Sequence, residues 1–182
     1  MKLDIESMRS LYRLNHMSRY NTWPRIHNES VAAHSFYVVL FTMMICDRLG
    51  VEDRLKLEAM QIATVHDIPE TIMNDVTYDA KKQIDGLNEL LGEFERKYIM
   101  VNFPEQYFAV FGSNSVNHEI ARLIVKLADV YSVVQYCDNE VQLGNKPFEK
   151  LLEDSFERAS AIIKKLEGRY NISCQKITIC NQ

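Results

Sequence analysis

The chain has 182 residues, enough for one domain that buries about two thirds of the surface of the unfolded chain. Apolar residues make up 47% of the sequence, which excludes an intrinsically disordered protein. The 21 basic residues do not outnumber the 25 acidic ones, so the sequence lacks the basic excess of a protein that binds nucleic-acid polymers, although a small anionic substrate needs only a few local cations.

Helical spacing of apolar residues predicts three helices in the first half of the chain, at residues 5–17, 31–49 and 53–66. The segment 19–30 between the first two is predicted to be irregular. Asn28 or Ser30 is expected to cap the second helix, and Gly50 is expected to end it. Asp53 is expected to cap the third helix.

The second half is predicted to contain helices at residues 78–101, 115–139 and 147–167. Residues 102–114 read as an aromatic-rich loop or short helix, Gly168 as the end of the last helix, and residues 170–182 as a short strand or irregular tail. Because alternating strand patterns are otherwise missing, the predicted fold class is all-α. We expect a single domain over residues 1–182, with a core at about 13–139 and a C-terminal helix and tail at 147–182.

His34 and His66 share the helical spacing of the apolar residues around them, so both are expected to point inward. Each alone fits a core histidine that is satisfied by a hydrogen bond. Asp67 weakens that interpretation, because a buried carboxylate needs a cation or several hydrogen-bond donors. Adjacent residues on a straight helix diverge by roughly 100°, so His66 and Asp67 can share a ligand only at a helix end, for which Pro69 offers a cause.

Asp129, in a later helix, has two interpretations. Its position opposite the main apolar face and near Lys126 is typical of a surface ion pair. If the helix is buried on most sides, Asp129 is instead an inward carboxylate that needs a partner. Together with His34, His66 and Asp67 it would form a cage for one divalent transition metal that activates water, and Mn, Co, Fe, Ni or Zn suits such mixed ligands.

The order of these residues resembles the HD-domain metal-dependent phosphohydrolases, and among them the YfbR-like 5'-deoxynucleotidases. The bare His-Asp pair is a weak signal, whereas four segments in the same order, within about residues 13–139, are more specific. The matching segments are Asn21-Thr22-Trp23-Pro24, Glu29-Ser30-Val31-Ala32-Ala33-His34-Ser35, His66-Asp67-Ile68-Pro69-Glu70 with Asp75 following, and Lys126-Leu127-Ala128-Asp129.

The resemblance implies that the two histidines and two aspartates named above bind the metal, with room for a second, weakly bound Mg²⁺. It implies that Glu70 moves or orients protons beside the attacking water. It also implies a catalytic role for Asp75, which would lie near the sugar and contact its 3' hydroxyl or the water. Trp23 would shape the nucleoside pocket, although by pattern alone a hydrophobic plug that closes the first helix onto the bundle is favoured. Lys81 would contact phosphate.

One position departs from the family pattern. Thr22 stands where the family usually has an arginine, directly before the tryptophan. Arg19 and Arg25 lie close by in the sequence, and either one is a candidate to supply the missing guanidinium to the phosphate.

The implied activity is hydrolysis of 2'-deoxyribonucleotides, first as a 5'-deoxynucleotidase that releases phosphate from dNMP. A triphosphohydrolase that releases tripolyphosphate from a dNTP, dATP among them, is the alternative, and a non-catalytic helical scaffold is the alternative of another class. The resemblance also favours a homo-oligomer.

We expect a cytoplasmic protein, in the host cytoplasm if a phage encodes it, with no membrane partner. No apolar segment follows the charged first residues, and the four cysteines lack C-x-x-C spacing, which is typical of reduced thiols.

Overall fold

The computed structural model describes residues 4–74, 76–112, 115–177 and 179. These residues are largely helical and contain no strand, only an isolated bridge between Ser18 and Ser30, so the all-α prediction is confirmed. The helices are α1 (Ile5–Tyr12), α2 (Val31–Leu49), α3 (Asp53–Val65), α4 (Glu70–Met73), α5 (Tyr78–Gln83), α6 (Leu87–Asn102), α7 (Pro104–Phe111), α8 (Val116–Gln142) and α9 (Pro147–Tyr170).

Helix α8 forms the centre of the fold. It packs against α2, α3 and α9, and residues on most of its circumference are buried. Leu127, Ala128 and Val130 are fully inaccessible, and they point in different directions around the helix axis. A helix enclosed on most sides is apolar nearly all round, so any carboxylate on it either faces a site or needs a partner.

The caps of α2 fix the position of its first turn. Ser30 caps the helix, because its Oγ accepts a hydrogen bond from the backbone N–H of Ala33 at 3.1 Å. At the other end Gly50 adopts a left-handed conformation with φ of 65°, as the sequence predicts. The cap at Ser30 sets His34 near the start of α2, with its side chain in the interior.

Several predicted boundaries are wrong. The first helix ends at Tyr12 and continues only as a 3-10 turn at Arg13–Asn15. Helix α3 has Glu52, not Asp53, at its cap position, and it ends at Val65. The described part of the tail contains turns and no strand, which agrees with the irregular alternative of the prediction.

Two further differences between prediction and structure have clear physical reasons. The predicted helix at 78–101 is broken between α5 and α6, because Gly86 adopts a left-handed conformation with φ of 77°. Helix α9 runs through Gly168 to Tyr170, since a helical glycine costs only about 1 kcal/mol. The left-handed residue that ends it is Asn171, and the N–H of Ile172 donates back to the Leu166 carbonyl.

Candidate metal centre

Ligand atoms of His34, His66 and Asp67 lie within 4.8 Å of one another, and Asp129 joins this group through its contact with His34. The Nε2 atom of His34 lies 3.4 Å from Asp67 Oδ2 and 3.2 Å from Asp129 Oδ1. The Nε2 atom of His66 lies 3.1 Å from the same Asp67 oxygen. Ligands placed about 2.0–2.2 Å from one metal ion stand roughly 3–3.5 Å from each other, so these spacings fit a single ion.

The end of α3 brings His66 and Asp67 to the same point. The helix stops at Val65, and the chain then turns through residues 66–69 before α4 begins at Glu70. Pro69 is buried at this turn and provides no backbone N–H to continue the helix. The side chains of His66 and Asp67 therefore escape the divergence that a straight helix would impose.

The hydrogen bond on His66 leaves its other nitrogen open to a metal. Its Nδ1 lies 2.7 Å from the Ala63 carbonyl oxygen, which can only accept, so Nδ1 carries the proton. The Nε2 atom is buried and makes no hydrogen bond of acceptable geometry among the described residues. A neutral ring held in this way presents a lone pair to the Asp67 carboxylate, and a cation between them removes the repulsion.

His34 has two neighbours on its Nδ1 atom. Ser132 Oγ lies at 2.9 Å and can accept a hydrogen bond, whereas Arg19 Nη1 lies at 2.6 Å and can only donate one. A ring that binds a metal through Nε2 carries its proton on Nδ1 and donates it to Ser132. Metal binding therefore requires the Arg19 guanidinium to turn away from His34, while keeping its ion pair with Glu29 at 3.0 Å.

The charges of the cluster stabilise one another in the absence of a metal. Burial disfavours the charged form of His66, but the Asp67 carboxylate outweighs burial and raises the pKa of His66 to about 9. Burial would raise the pKa of Asp67, but His66 and His34 hold it well below its usual range. The pKa of Asp129 is likewise lowered, against burial, chiefly by His34.

We predict that metal affinity depends steeply on pH. Below pH 9 His66 is protonated in the metal-free protein, so each metal that binds must displace one proton. The apparent association constant should rise about tenfold per pH unit between pH 6 and 8, and level off near pH 9. Calorimetry in buffers of different ionisation enthalpy counts the released protons, and a constant affinity across this range would show that His66 does not bind the metal.

A cavity of about 220 Å³ opens beside the cluster, and His34, Asp67 and Asp129 form part of its wall. We call it the main cavity. Its other walls come from the segment before α2, from residues around α4 and α5, and from α8 and α9. The remaining lining residues are Arg19, Tyr20, Thr22, Trp23, Glu70, Val76, Thr77, Lys81, Val133, Leu151 and Arg158.

Most of the residues predicted from the sequence lie in the main cavity. Glu70, Trp23, Arg19 and Lys81 all line it, whereas Asp75 lies outside the described residues. Arg25 was predicted as a phosphate ligand, but its Nη1 donates to the Tyr20 carbonyl at 2.8 Å and it lines a separate groove. Arg25 is therefore not among the residues that line the main cavity.

Arg158, which belongs to none of the matching sequence segments, brings a further guanidinium to the main cavity from α9. The signal was its spacing: Leu151 and Arg158 are seven residues apart and therefore share one face of the helix. Between them on that face lies Ser155, which is fully buried. A charged side chain on an otherwise buried helix face indicates a functional site at that face.

The segment that carries Trp23 is anchored from α8. Glu140, fully buried, accepts hydrogen bonds from the backbone N–H groups of residues 26 and 27, both at 2.8 Å. Asn145 donates to the Pro24 carbonyl, also at 2.8 Å. Burial would raise the pKa of Glu140, but these donors lower it, so the carboxylate stays charged and holds the segment in place.

Trp23 has two structural roles: it packs into the hydrophobic core and it lines the main cavity. Its ring packs against Phe148 on α9, with ring centroids 5.5 Å apart, and it lines the main cavity. The aromatic surface is thus fixed from behind and available to a ligand in front.

A model of the YfbR-like 5'-deoxynucleotidases matches residues 6–172. The fold also matches solved structures. A protein of Pyrococcus horikoshii OT3 is 23% identical, over 92% of this chain and 96% of that chain, with a TM-score of 0.71. An HD phosphohydrolase of cyanophage S-2L, bound to dA and one catalytic Zn²⁺ ion, is 21% identical over 86% of each chain, with a TM-score of 0.64. An HD-domain phosphohydrolase of Listeria innocua is 17% identical over 91% and 87%, with a TM-score of 0.66. No curated protein matches the chain.

Proposed function

The chain belongs to the YfbR-like 5'-deoxynucleotidase family, and from this membership we propose that it is a metal-dependent phosphohydrolase that cleaves dNMP into a deoxynucleoside and orthophosphate. The observation that carries the proposal is the convergence of Asp67 and Asp129 on His34 Nε2 at the wall of the main cavity. The dA and catalytic Zn²⁺ of the cyanophage protein support a deoxynucleoside ligand and a single divalent metal such as Zn²⁺ here.

The proposed reaction is attack of a water oxygen on phosphorus, in line with the bond to the 5' oxygen, which breaks. A divalent metal held by His34, His66, Asp67 and Asp129 would supply positive charge at the phosphate and lower the pKa of water. Glu70 lines the cavity one turn beyond Asp67, where it can take the proton of the water. The 5' oxygen leaves with a proton, as part of the deoxynucleoside.

The cations of the main cavity bind the phosphate in this proposal. Lys81, near the end of α5, and Arg158 on α9 line the cavity together with Arg19. Their charge compensates the phosphate oxygens that the metal does not contact. Arg158 takes the role that the family pattern gives to the arginine before the tryptophan, in place of Thr22. Asp75 stays a prediction, as a residue near the sugar.

We predict that Trp23 selects against a 2' hydroxyl. A rigid ring, held from behind by Phe148, either excludes that hydroxyl sterically or leaves it buried without a partner. Either effect is worth about 1–3 kcal/mol, or roughly 5- to 150-fold in selectivity. The measurement is kcat/KM for dAMP against AMP in the wild type and in Trp23→Ala, which should lose most of the preference.

Trp23→Phe is the matched control, because it keeps an aromatic ring against Phe148 and should keep part of the preference. Equal rates for dAMP and AMP in the wild-type protein would remove the claim of deoxy selectivity. Selectivity that survives in Trp23→Ala would assign it to another part of the cavity.

A second activity, hydrolysis of a dNTP to a deoxynucleoside and tripolyphosphate, is supported by the three cations of the main cavity, Arg19, Lys81 and Arg158. The same bond to the 5' oxygen breaks in both reactions, so both can use the same site. If the protein were a non-catalytic scaffold, the four-ligand cluster would have no role. Purified protein that binds no divalent metal would favour the scaffold.

We also propose a homo-oligomer in the cytoplasm. By its length and apolar composition alone, helix α2 could cross a membrane, but it packs against α3 and α8 as a core helix. Its other face leaves Phe36, Tyr37 and Met44 exposed, which supports a contact with a second copy. Light scattering that gives the monomer mass of 21.2 kDa would contradict the oligomer.

A further inference from the structure

The loop that carries Trp23 is held at two separate places. At its base, the chain before the loop meets the chain after it in the isolated bridge between Ser18 and Ser30. We call the residues between them, 20–28, the Trp23 loop. The tip of this loop, residues 24–27, is held from the C-terminal end of α8 and from the turn that follows α8. The base and the tip of the loop therefore depend on different contacts.

The contacts at the tip require a carboxylate. Glu140 is fully buried, and each of its two oxygens accepts a backbone N–H of the loop, Oε2 from residue 26 and Oε1 from residue 27. The side-chain amide of Asn145 donates both to Glu140 Oε2 and to the Pro24 carbonyl. A glutamine at position 140 would have only one acceptor oxygen, and its NH₂ group would face a backbone donor.

A strained residue in the Trp23 loop is also held by α8. Tyr20 adopts a left-handed conformation with φ of 53°, which is unfavourable for a residue with a bulky side chain. Its ring stacks on Tyr136 of α8, with centroids 4.6 Å apart, and the Tyr136 hydroxyl donates to the His27 carbonyl at 2.6 Å. Strain that the surrounding structure maintains next to a site indicates that the shape of the loop matters for that site.

The helix that holds the loop tip also carries a residue of the metal cluster. Asp129 and Glu140 both belong to α8, roughly 16 Å apart along the helix axis. Trp23 and Asp129 line the same main cavity. One buried helix thus sets the distance between the Trp23 ring and the metal cluster. Such a distance matters for turnover, because a displacement of about 1 Å, even one caused far from the chemistry, can cost about 100-fold in rate.

We propose that Glu140 is a positioning residue, which holds the Trp23 ring at the distance from the metal cluster that a deoxynucleoside 5'-phosphate spans. The inference rests on the proposed function and assigns part of its substrate selectivity to a residue that does not line the main cavity. Arg19 is held at the base of the loop by its ion pair with Glu29, at 3.0 Å. Glu140 therefore serves the nucleoside half of the site and not the phosphate half.

The direct test measures the two reaction products separately on metal-loaded Glu140→Gln. Deoxyadenosine should bind about tenfold more weakly than to the wild type, whereas the affinity for orthophosphate and the metal content should be unchanged. Trp23 is the only tryptophan of the chain, so its fluorescence reports on the loop directly. In the variant its emission should shift to longer wavelength, and acrylamide should quench it more strongly.

Glu149→Gln is the matched control, because it makes the same chemical change at an exposed glutamate in the first turn of α9. Its product affinities and Trp23 fluorescence should match those of the wild type. If Glu140→Gln does not fold, Asn145→Ala replaces it, since this variant releases only the Pro24 carbonyl and one donor to Glu140. Equal weakening of both products, or unchanged deoxyadenosine binding and fluorescence, would overturn the proposal.

A kinetic comparison tests whether Glu140 acts through Trp23. Glu140→Gln should lower the ratio of kcat/KM for dAMP over AMP, as Trp23→Ala should. The double variant should select no worse than Trp23→Ala alone, because Glu140 then has no ring to position. Losses of selectivity that multiply in the double variant would overturn the assignment. If the wild type hydrolyses no dNMP at all, the proposed function fails, whereas deoxyadenosine binding and fluorescence still test the role of Glu140.

Discussion

Replacing Asp129 with alanine should release the metal and lower turnover more than about 100-fold. Loss of an outer hydrogen-bond partner at a metal site costs about 10- to 100-fold, and removal of a ligand should cost more. Asp129 Oδ1 lies 3.2 Å from His34 Nε2, and the side chain is one third exposed, so its removal should leave the helices intact. Metal content by mass spectrometry, turnover and far-ultraviolet circular dichroism are the measurements.

Asp138→Ala provides the control, because Asp138 is an exposed aspartate of the same helix that lies away from the cluster. It should keep its metal and its turnover. If Asp129→Ala keeps full metal occupancy and wild-type turnover, Asp129 is a surface residue paired with Lys126, as one interpretation of the sequence allows.

Replacing Glu70 with glutamine should leave the metal in place and lower turnover about 100-fold or more, the usual effect of losing a general acid–base group. Glu70 lines the main cavity beside Asp67, but it is not one of the four side chains that converge on the cluster. Glutamine keeps the shape of the side chain and removes its capacity to take a proton. Single-turnover kinetics on metal-loaded protein separate this loss from weaker substrate binding.

Glu89→Gln is the matched control for that experiment. Glu89 stands in the first turn of α6, as Glu70 stands in the first turn of α4, but its side chain is exposed. Both substitutions remove the same favourable interaction with a helix N-terminus. If the metal departs from Glu70→Gln, then Glu70 is a ligand, and the role assigned to it is wrong.

Local signals in the sequence were sufficient for the fold class and for part of the cluster. Helical spacing predicted inward positions for His34 and His66, and Pro69 supplied the reason for a helix end that lets Asp67 join them. The family resemblance, drawn from four short segments, is confirmed by the family match over residues 6–172. Helix spacing could not orient Asp129, because a helix buried on most sides, as α8 is, has no single inward face.

Features that depend on distant contacts could not be predicted. The segment that carries Trp23 has its shape from Glu140 and Asn145, more than 100 residues further along the chain. Helical spacing can mark Arg158 as a charge on the buried face of α9, but its place at the main cavity follows only from the way α9 packs along α8. The end of α9 at Asn171 rather than Gly168 depends on which residue adopts the left-handed conformation, and the sequence pattern does not decide between them.

The most direct test of the account is nucleoside release by protein that has been stripped of metal and then reloaded. The stripped protein should release no deoxynucleoside from a panel of dNMPs and dNTPs. One equivalent of Mn²⁺, Co²⁺ or Zn²⁺ per chain should restore release, with water oxygen-18 incorporated into the phosphate product because attack occurs at phosphorus. Release that persists without metal, or oxygen-18 in the nucleoside instead of the phosphate, would contradict it.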